Sequence, residues 1–186
     1  MRHTGLEARL DMTELRLALI AAAVAVGVSP LPGTAQESTN RVAANTDWSV
    51  FVEENPKECW SVSAPKESVA ARDGKPAAVR RGDVLLFVTF RPGSQTGEVS
   101  FTGGYTFANG STVSMDIGGT AFELFTDGEW AWSGSAEDDG RIIAAMKAGS
   151  SAVLSARSGR GTETKDTFSL NGVSAAIDEA TKRCAG

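Results

Sequence analysis

The sequence holds one histidine, His3, and two cysteines, Cys59 and Cys184, in 186 residues. His3 lies upstream of a stretch that reads as a secretory signal, so the processed chain is expected to contain no histidine. That excludes Ser-His-Asp and Cys-His catalysis, histidine metal sites and a histidine switch near neutral pH. Positive charge is also short: 18 Lys and Arg against 23 Asp and Glu give a net charge of −5. An acidic chain without a basic stripe is a poor partner for nucleic acid or anionic membranes, and neither is expected. No cofactor is expected either.

Long apolar runs are lacking except at residues 17–28, the uncharged stretch LALIAAAVAVGV. A bilayer span needs about 20 residues, so this run suits the apolar region of a signal peptide. Arg16 precedes it, Pro30 and Pro32 break it, and Gly33-Thr34-Ala35 supplies small residues for cleavage before Gln36. Glu7 and Asp11 are out of place in a signal's leading segment, which points to a translation start at Met12. The other reading is an uncleaved anchor. The expected organisation is a signal peptide over 1–35, a flexible lead-in over 36–46 and a single β-rich domain over 47–186. Removing 1–35 takes three arginines and three acids, so the charge stays at −5. A periplasmic or secreted location follows, with no transmembrane segment after signal removal. Such compartments are oxidising, so Cys59 and Cys184 are expected to pair. The bridge would close a loop of over 120 residues, for which chain entropy assigns about 4–5 kcal/mol. The other reading is two free thiols.

What the chain does contain is period-2 patterning broken by turns. Trp48, Val50 and Val52 alternate with more polar positions, Asn55-Pro56 turns, and residues 59–63 form a second strand. Residues 66–82 are charged and carry Gly74 and Pro76, so a surface loop is expected, with at most a short strand near Val79. Residues 83–91 (DVLLFVTFR) are a continuous apolar run, expected as the central strand. Further strands are read at 98–102, 112–117, 121–125, 129–132, 152–157 and 164–170. Asn109-Gly110 is a hairpin signal, and Gly118-Gly119 and Asp127-Gly128 mark turns. Ser135 caps a helix with acids in its first turn, Ile142, Ile143 and Met146 on its apolar stripe and Gly149 at its end. Val173, Ile177, Ala180 and Cys184 fall on one face of a terminal helix. The expected fold is mainly β: an antiparallel sandwich or barrel-like domain with two short helices, the second at the C-terminus.

These pieces resemble a family. They are the tryptophan strand DWSVFVEE, Cys-Trp followed by Ser-Ala-Pro, an apolar strand ending in Phe-Arg-Pro, and Gly-Gly-Tyr with Phe two residues on. A Gly-Ser-x-Val strand, Phe-Glu-Leu-Phe, Trp-Ala-Trp, an Ala-Met-Lys-Ala-Gly helix, Ser-x-Arg-Gly-Thr and Thr-Phe-Ser-Leu follow in order. Together they resemble the invasion-associated locus B family of exported bacterial proteins, from about Asp47 to Cys184. The resemblance implies an exported protein, possible association with host cells, and no catalytic residue to carry over.

Several constellations bear on function. Arg81-Gly82-Asp83 is an adhesion tripeptide or, more simply, a turn feeding the apolar strand. Trp130 and Trp132 share one strand face and could stack on sugars, but core filling is favoured, as for Trp48 and Trp60. Glu137, Asp138 and Asp139 could bind Ca²⁺ or form a glycosidase pair; favouring the helix dipole explains them better. Asn109-Gly110-Ser111 matches a glycosylation acceptor, and the turn is its simpler meaning. The expected function is a non-enzymatic interaction or envelope-associated protein with an unidentified protein or envelope partner. Trp130, Trp132, Arg81 and Asp83 are the weak binding candidates. The alternative is a glycan-binding or glycan-cleaving enzyme using Glu123, Asp127 or Glu129 near the tryptophans.

Overall fold

In a strand, successive side chains face opposite sides, so one apolar set per strand can line a core while the other meets solvent. The computed structural model, which describes residues 40–94 and 96–185, uses this rule throughout. In chain order its elements begin with β1 (Arg41–Asn45), β2 (Trp48–Glu54), β3 (Lys57–Ser63), β4 (Glu67–Arg72) and β5 (Lys75–Pro76). Next come β6 (Leu85–Phe90), β7 (Glu98–Thr102), β8 (Thr112–Ile117), β9 (Thr120–Asp127) and β10 (Trp130–Trp132). Helix α1 (Ala136–Ala148), β11 (Ser151–Arg157), β12 (Glu163–Ser169) and helix α2 (Val173–Cys184) complete the fold. The expected signal peptide, the start at Met12 and residues 36–39 of the lead-in lie outside the described residues.

Among the described residues all strands belong to one sheet, in the order β1-β2-β3-β6-β7-β10-β9-β8-β11-β12-β4-β5, and every neighbour pair is antiparallel. The expected mainly antiparallel β-fold with two short helices is therefore present, built as one curled sheet. The curl brings distant strands together. Phe101 of β7 meets Phe168 of β12 edge-on at 6.1 Å. The buried Trp48 of β2 donates its indole N–H to the Ser169 carbonyl of β12 at 2.9 Å. Leu86, Val88, Met115, Leu124 and Leu154 fill the inner side.

Helix α2 packs on β1, β2, β3 and β6. Its buried face is Val173, Ala176, Ile177, Ala180 and Cys184. Cys184 is bonded to Cys59 of β3, with Cα atoms 5.8 Å apart. Gly172 precedes the helix at φ 91°, where a Cβ would collide with the Asn45 carbonyl. Helix α1 begins as its sequence implies: the Ser135 hydroxyl accepts from the Asp138 N–H at 3.1 Å.

Three expectations are corrected. Residues 41–45, read as flexible lead-in, form β1, an edge strand paired with β2. Residues 66–82, read as a loop, contain the β4–β5 hairpin, which turns at Asp73 (φ 51°) and Gly74 (φ 71°). Its strands sit at the sheet's other edge, so they need no apolar face, and Val79 is in no strand. The 83–91 run supplies β6, an interior strand between β3 and β7, and it alternates: Leu86, Val88 and Phe90 point inward, whereas Leu85, Phe87 and Thr89 lie on the outer face. Asn109-Gly110 makes a turn, with the Ser111 N–H on the Ala108 carbonyl at 3.0 Å, but not a β7–β8 hairpin. Strands β10 and β9 stand between β7 and β8.

The Cys59–Cys184 bridge spans 125 residues, so its removal should lower stability by up to about 4–5 kcal/mol. Denaturant unfolding of the C59A/C184A double variant and of reduced wild type checks this. Alkylation of both thiols in untreated protein would contradict it.

Candidate functional site

Strand β10 is short, and its register sets what it exposes. Ala131 pairs with Phe101 and points inward, fully buried. Trp130 and Trp132 therefore point outward, and Trp130 is 40% exposed. The expectation that this pair fills the core is corrected. The pleat admits Ala131 to the interior, and the neighbouring β9 supplies Phe122 and Leu124 there instead. Trp48 is in the core as expected, but Trp60 is half-buried on the outer face.

The outer rings form a continuous surface across several strands. Trp130 and Trp132 stack at 6.3 Å with 23° between planes. Phe87 of β6 lies 5.6 Å from Trp130. Trp60 of β3 stacks on Phe51 of β2 at 5.8 Å and 9°. Phe125 of β9, opposite Trp132 in register, is 59% exposed. The rings can lie over β7 because its outer positions are small: Ser100 sits opposite Phe87 and Trp132, and Thr102 opposite Trp130. A shallow depression of about 320 Å³ lies among Trp60, Phe87, Trp130 and Trp132. Phe87 and Trp60 were not picked out as site residues from sequence, because the 83–91 run hides its own alternation.

Charged groups at the rim are paired. The Arg91 guanidinium bonds Glu58 at 2.6 Å and Glu98 at 3.2 Å. The hydrogen bond to Glu58 holds the arginine's pKa above its ordinary value. Of the carboxylates proposed as catalytic, Glu123 and Asp127 are exposed on β9. Glu129 lies away from the platform, in a cleft lined by Arg72, Arg80, Arg81 and Arg160. Asp127 is opposite Trp130 in register, so one of the three stands beside the tryptophans, while Glu129 lines the separate cleft. Among the described residues no group of three or more His, Cys, Asp or Glu is placed to hold a metal ion.

Arg81 and Asp83 part company. The Arg81 guanidinium grips Asp166 through two bonds, at 3.0 and 2.5 Å, and Asp166 is fully buried. Ser68 Oγ joins both partners, and Tyr105 lies under the guanidinium at 5.7 Å. Asp83 remains exposed. Arg81 is therefore a structural cation, and the tripeptide is not presented as a unit. The Gly82 N–H bonds the Gly104 carbonyl at 2.9 Å, which accounts for the Gly103-Gly104-Tyr105 motif. Gly104 has φ 69°, and a Cβ there would run into the backbone of Gly82.

The acids of α1 also divide. Glu137 is exposed and Asp138 caps within the first turn, as the dipole reading requires. Asp139 is buried, and its Oδ1 accepts from the Val99 N–H at 2.7 Å and the Ser133 hydroxyl at 2.6 Å. It serves the β7 backbone beyond the end of the short β10. Burial pushes its pKa above the usual carboxylate value, against these two hydrogen bonds.

The elements define a disulfide-bridged antiparallel β domain with an aromatic outer surface and a C-terminal helix. The chain belongs to the Invasion associated locus B (IalB) protein family, whose profile matches residues 48–181. Among solved structures it is similar to invasion associated protein B from Bartonella henselae, at 16% identity and a TM-score of 0.54, covering 75% of this chain and 95% of that one. At that identity the likeness shows the fold. No curated protein sequence matches.

Two predictions follow from this geometry. Trp48→Ala should cost about 3–5 kcal/mol through lost burial and a cavity. Trp130→Ala should cost under half of that, because the ring is already partly in water; thermal and denaturant unfolding compare them. Asp139 binds its proton more readily in the native state than in the unfolded chain. Its charge therefore costs stability that falls away below the usual carboxylate range, and the cost grows as pH rises through the folded pKa. Asp139→Asn, which keeps an acceptor, should remove this dependence and stay within about 1 kcal/mol of wild type at neutral pH. Asp139→Ala should lose about 1–3 kcal/mol by stranding the Val99 N–H. Unfolding measured from pH 4 to 7 reads both.

Proposed function

We propose that this chain is an exported envelope protein, periplasmic or secreted, that binds rather than catalyses, and that its outer aromatic surface recognises the apolar face of a saccharide. The observation that carries this reading is the stacked, solvent-facing Trp130–Trp132 pair with Phe87 and Trp60 beside it. Such rings cost free energy in water unless a partner covers them. Tryptophan faces suit the C–H face of a sugar ring, and their N–H groups stay free for polar contacts. The rim supplies hydroxyls and fixed charges: Thr89, Ser100 and the Arg91 ion pairs.

Export is supported by the signal-like 17–28 segment, the Cys59–Cys184 bridge and membership of the IalB family. Among the described residues no helix is long and apolar enough to cross a membrane. The non-enzymatic reading draws on the rim carboxylates. Glu58 and Glu98 are both bonded to Arg91, whereas a glycosidase needs two carboxyl groups free to face the glycosidic bond, one of them as the acid. The family's name suggests contact with host cells, and the same surface would serve if the saccharide is a host glycan. A protein partner at this surface is the competing occupant.

A glycan array followed by tryptophan-fluorescence titration tests the proposal. Trp130→Ala and Trp132→Ala should each weaken saccharide binding about tenfold, as loss of an aromatic contact worth about 1.4 kcal/mol implies. Binding indifferent to both changes, or no binding to any glycan, would overturn it. Turnover of the glycan, lost on a single carboxylate substitution, would replace it with the enzyme reading.

A further inference from the structure

A second concavity lies away from the aromatic surface, and its charge runs against that of the protein. It measures about 530 Å³ and is walled by residues 78–81, the Gly104-Tyr105-Thr106 turn and the 158–164 segment. Four arginines line it, Arg72, Arg80, Arg81 and Arg160, against one acid, Glu129. Arg81 is neutralised by the buried Asp166. Three arginines against Glu129 leave a local charge of +2 in a chain of net charge −5. Among the described residues neither Arg80 nor Arg160 has an ion-pair or hydrogen-bond partner, and both are exposed.

The walls are fixed while those two guanidinium heads are free. The loop bearing Arg160 is held by the Thr162 N–H on Ser158 Oγ at 3.1 Å and the Gly159 N–H on the Thr106 carbonyl at 3.0 Å. Arg72 donates to Thr162 Oγ1 at 2.8 Å. The segment carrying Arg80 is tied at one end by the Ala77 N–H on the Ala70 carbonyl and at the other by Gly82 on Gly104. Tyr105, its hydroxyl on Thr164 Oγ1, forms part of the wall. Burial holds its pKa above the ordinary phenol value, so it stays neutral.

We propose that this cleft binds a phosphate monoester. A dianion matches the local charge of +2. Its tetrahedral oxygens can meet guanidinium groups arriving from two walls, Arg80 on one and Arg160 on another, whereas a carboxylate offers a single two-oxygen edge. The cleft is much larger than a phosphate, and Tyr105 and Val79 give the organic part of the ester a surface to rest on. A soluble ester and a lipid headgroup share this recognition chemistry. The site is independent of the saccharide surface.

Calorimetric titration at low salt with glucose 6-phosphate, glucose and inorganic phosphate tests the proposal. Glucose 6-phosphate should bind, inorganic phosphate should bind more weakly, and glucose should not bind at this site. The double variant R80S/R160S should weaken glucose 6-phosphate at least tenfold. R41S/K182S, which removes the same charge from exposed positions elsewhere, should leave it unchanged. Pelleting with phosphatidic acid vesicles, competed by glucose 6-phosphate, supports a lipid headgroup; binding of the soluble ester without pelleting supports a soluble source. Absence of binding to both glucose 6-phosphate and inorganic phosphate at millimolar concentration would overturn the proposal. Equal weakening by the two double variants would overturn it too, since it would reveal nonspecific attraction.

Discussion

The contact on which the rest depends is the closure of the sheet at Trp48. A long antiparallel sheet has two faces, and a chain of this size cannot cover both with helices. Trp48 solves the inner face. Its ring is buried and its N–H reaches Ser169, so the β2 end is drawn onto β12. Helix α2 fills in beside this junction, and the Cys59–Cys184 bond ties it to β3. Closed this way, the sheet wraps its own core, and its outer face between β3 and β9 carries no second layer in the described residues.

That bare face is where the side chains depart from folding logic. Alternation would allow polar residues at Trp60, Phe87, Trp130 and Trp132, and small Ser100 and Thr102 on β7 give the rings room to lie flat. Large rings retained in water without a core role support the recognition surface proposed above. The charges follow the opposite pattern. Arg91 is spent on Glu58 and Glu98, and Arg81 on Asp166, where a buried carboxylate would otherwise be stranded. Arg80 and Arg160 are left over, facing one cleft.

How much was legible in the sequence depended on whether the cause was local. The caps Ser135 and Gly149 and the stripe of α2 are local, and both helices fall where those residues place them. Gly118-Gly119 joins β8 to β9 in the same way. The β4–β5 hairpin had a local mark too, Asp73-Gly74, but charged edge strands lack the apolar alternation that would have drawn attention to it. Strand order is not local: the insertion of β10 between β7 and β9 turns Asn109-Gly110 from a hairpin into a simple turn. The facing of Trp130 and Trp132 has the same origin. Their period was readable, but its phase was set by pairing with Phe101 and Phe125. Arg81 meets an acid 85 residues away, which no spacing rule announces.

The central claim is that one tryptophan closes the fold and three face solvent. Hydrogen exchange of the four indole N–H groups, followed by NMR with each signal assigned by substitution, tests it most directly. The account predicts one strongly protected indole, Trp48, bonded to the Ser169 carbonyl, and three that exchange rapidly, Trp60, Trp130 and Trp132. Protection of Trp130 and Trp132 comparable to that of Trp48 in the monomeric, ligand-free protein would place them in the core and contradict the account.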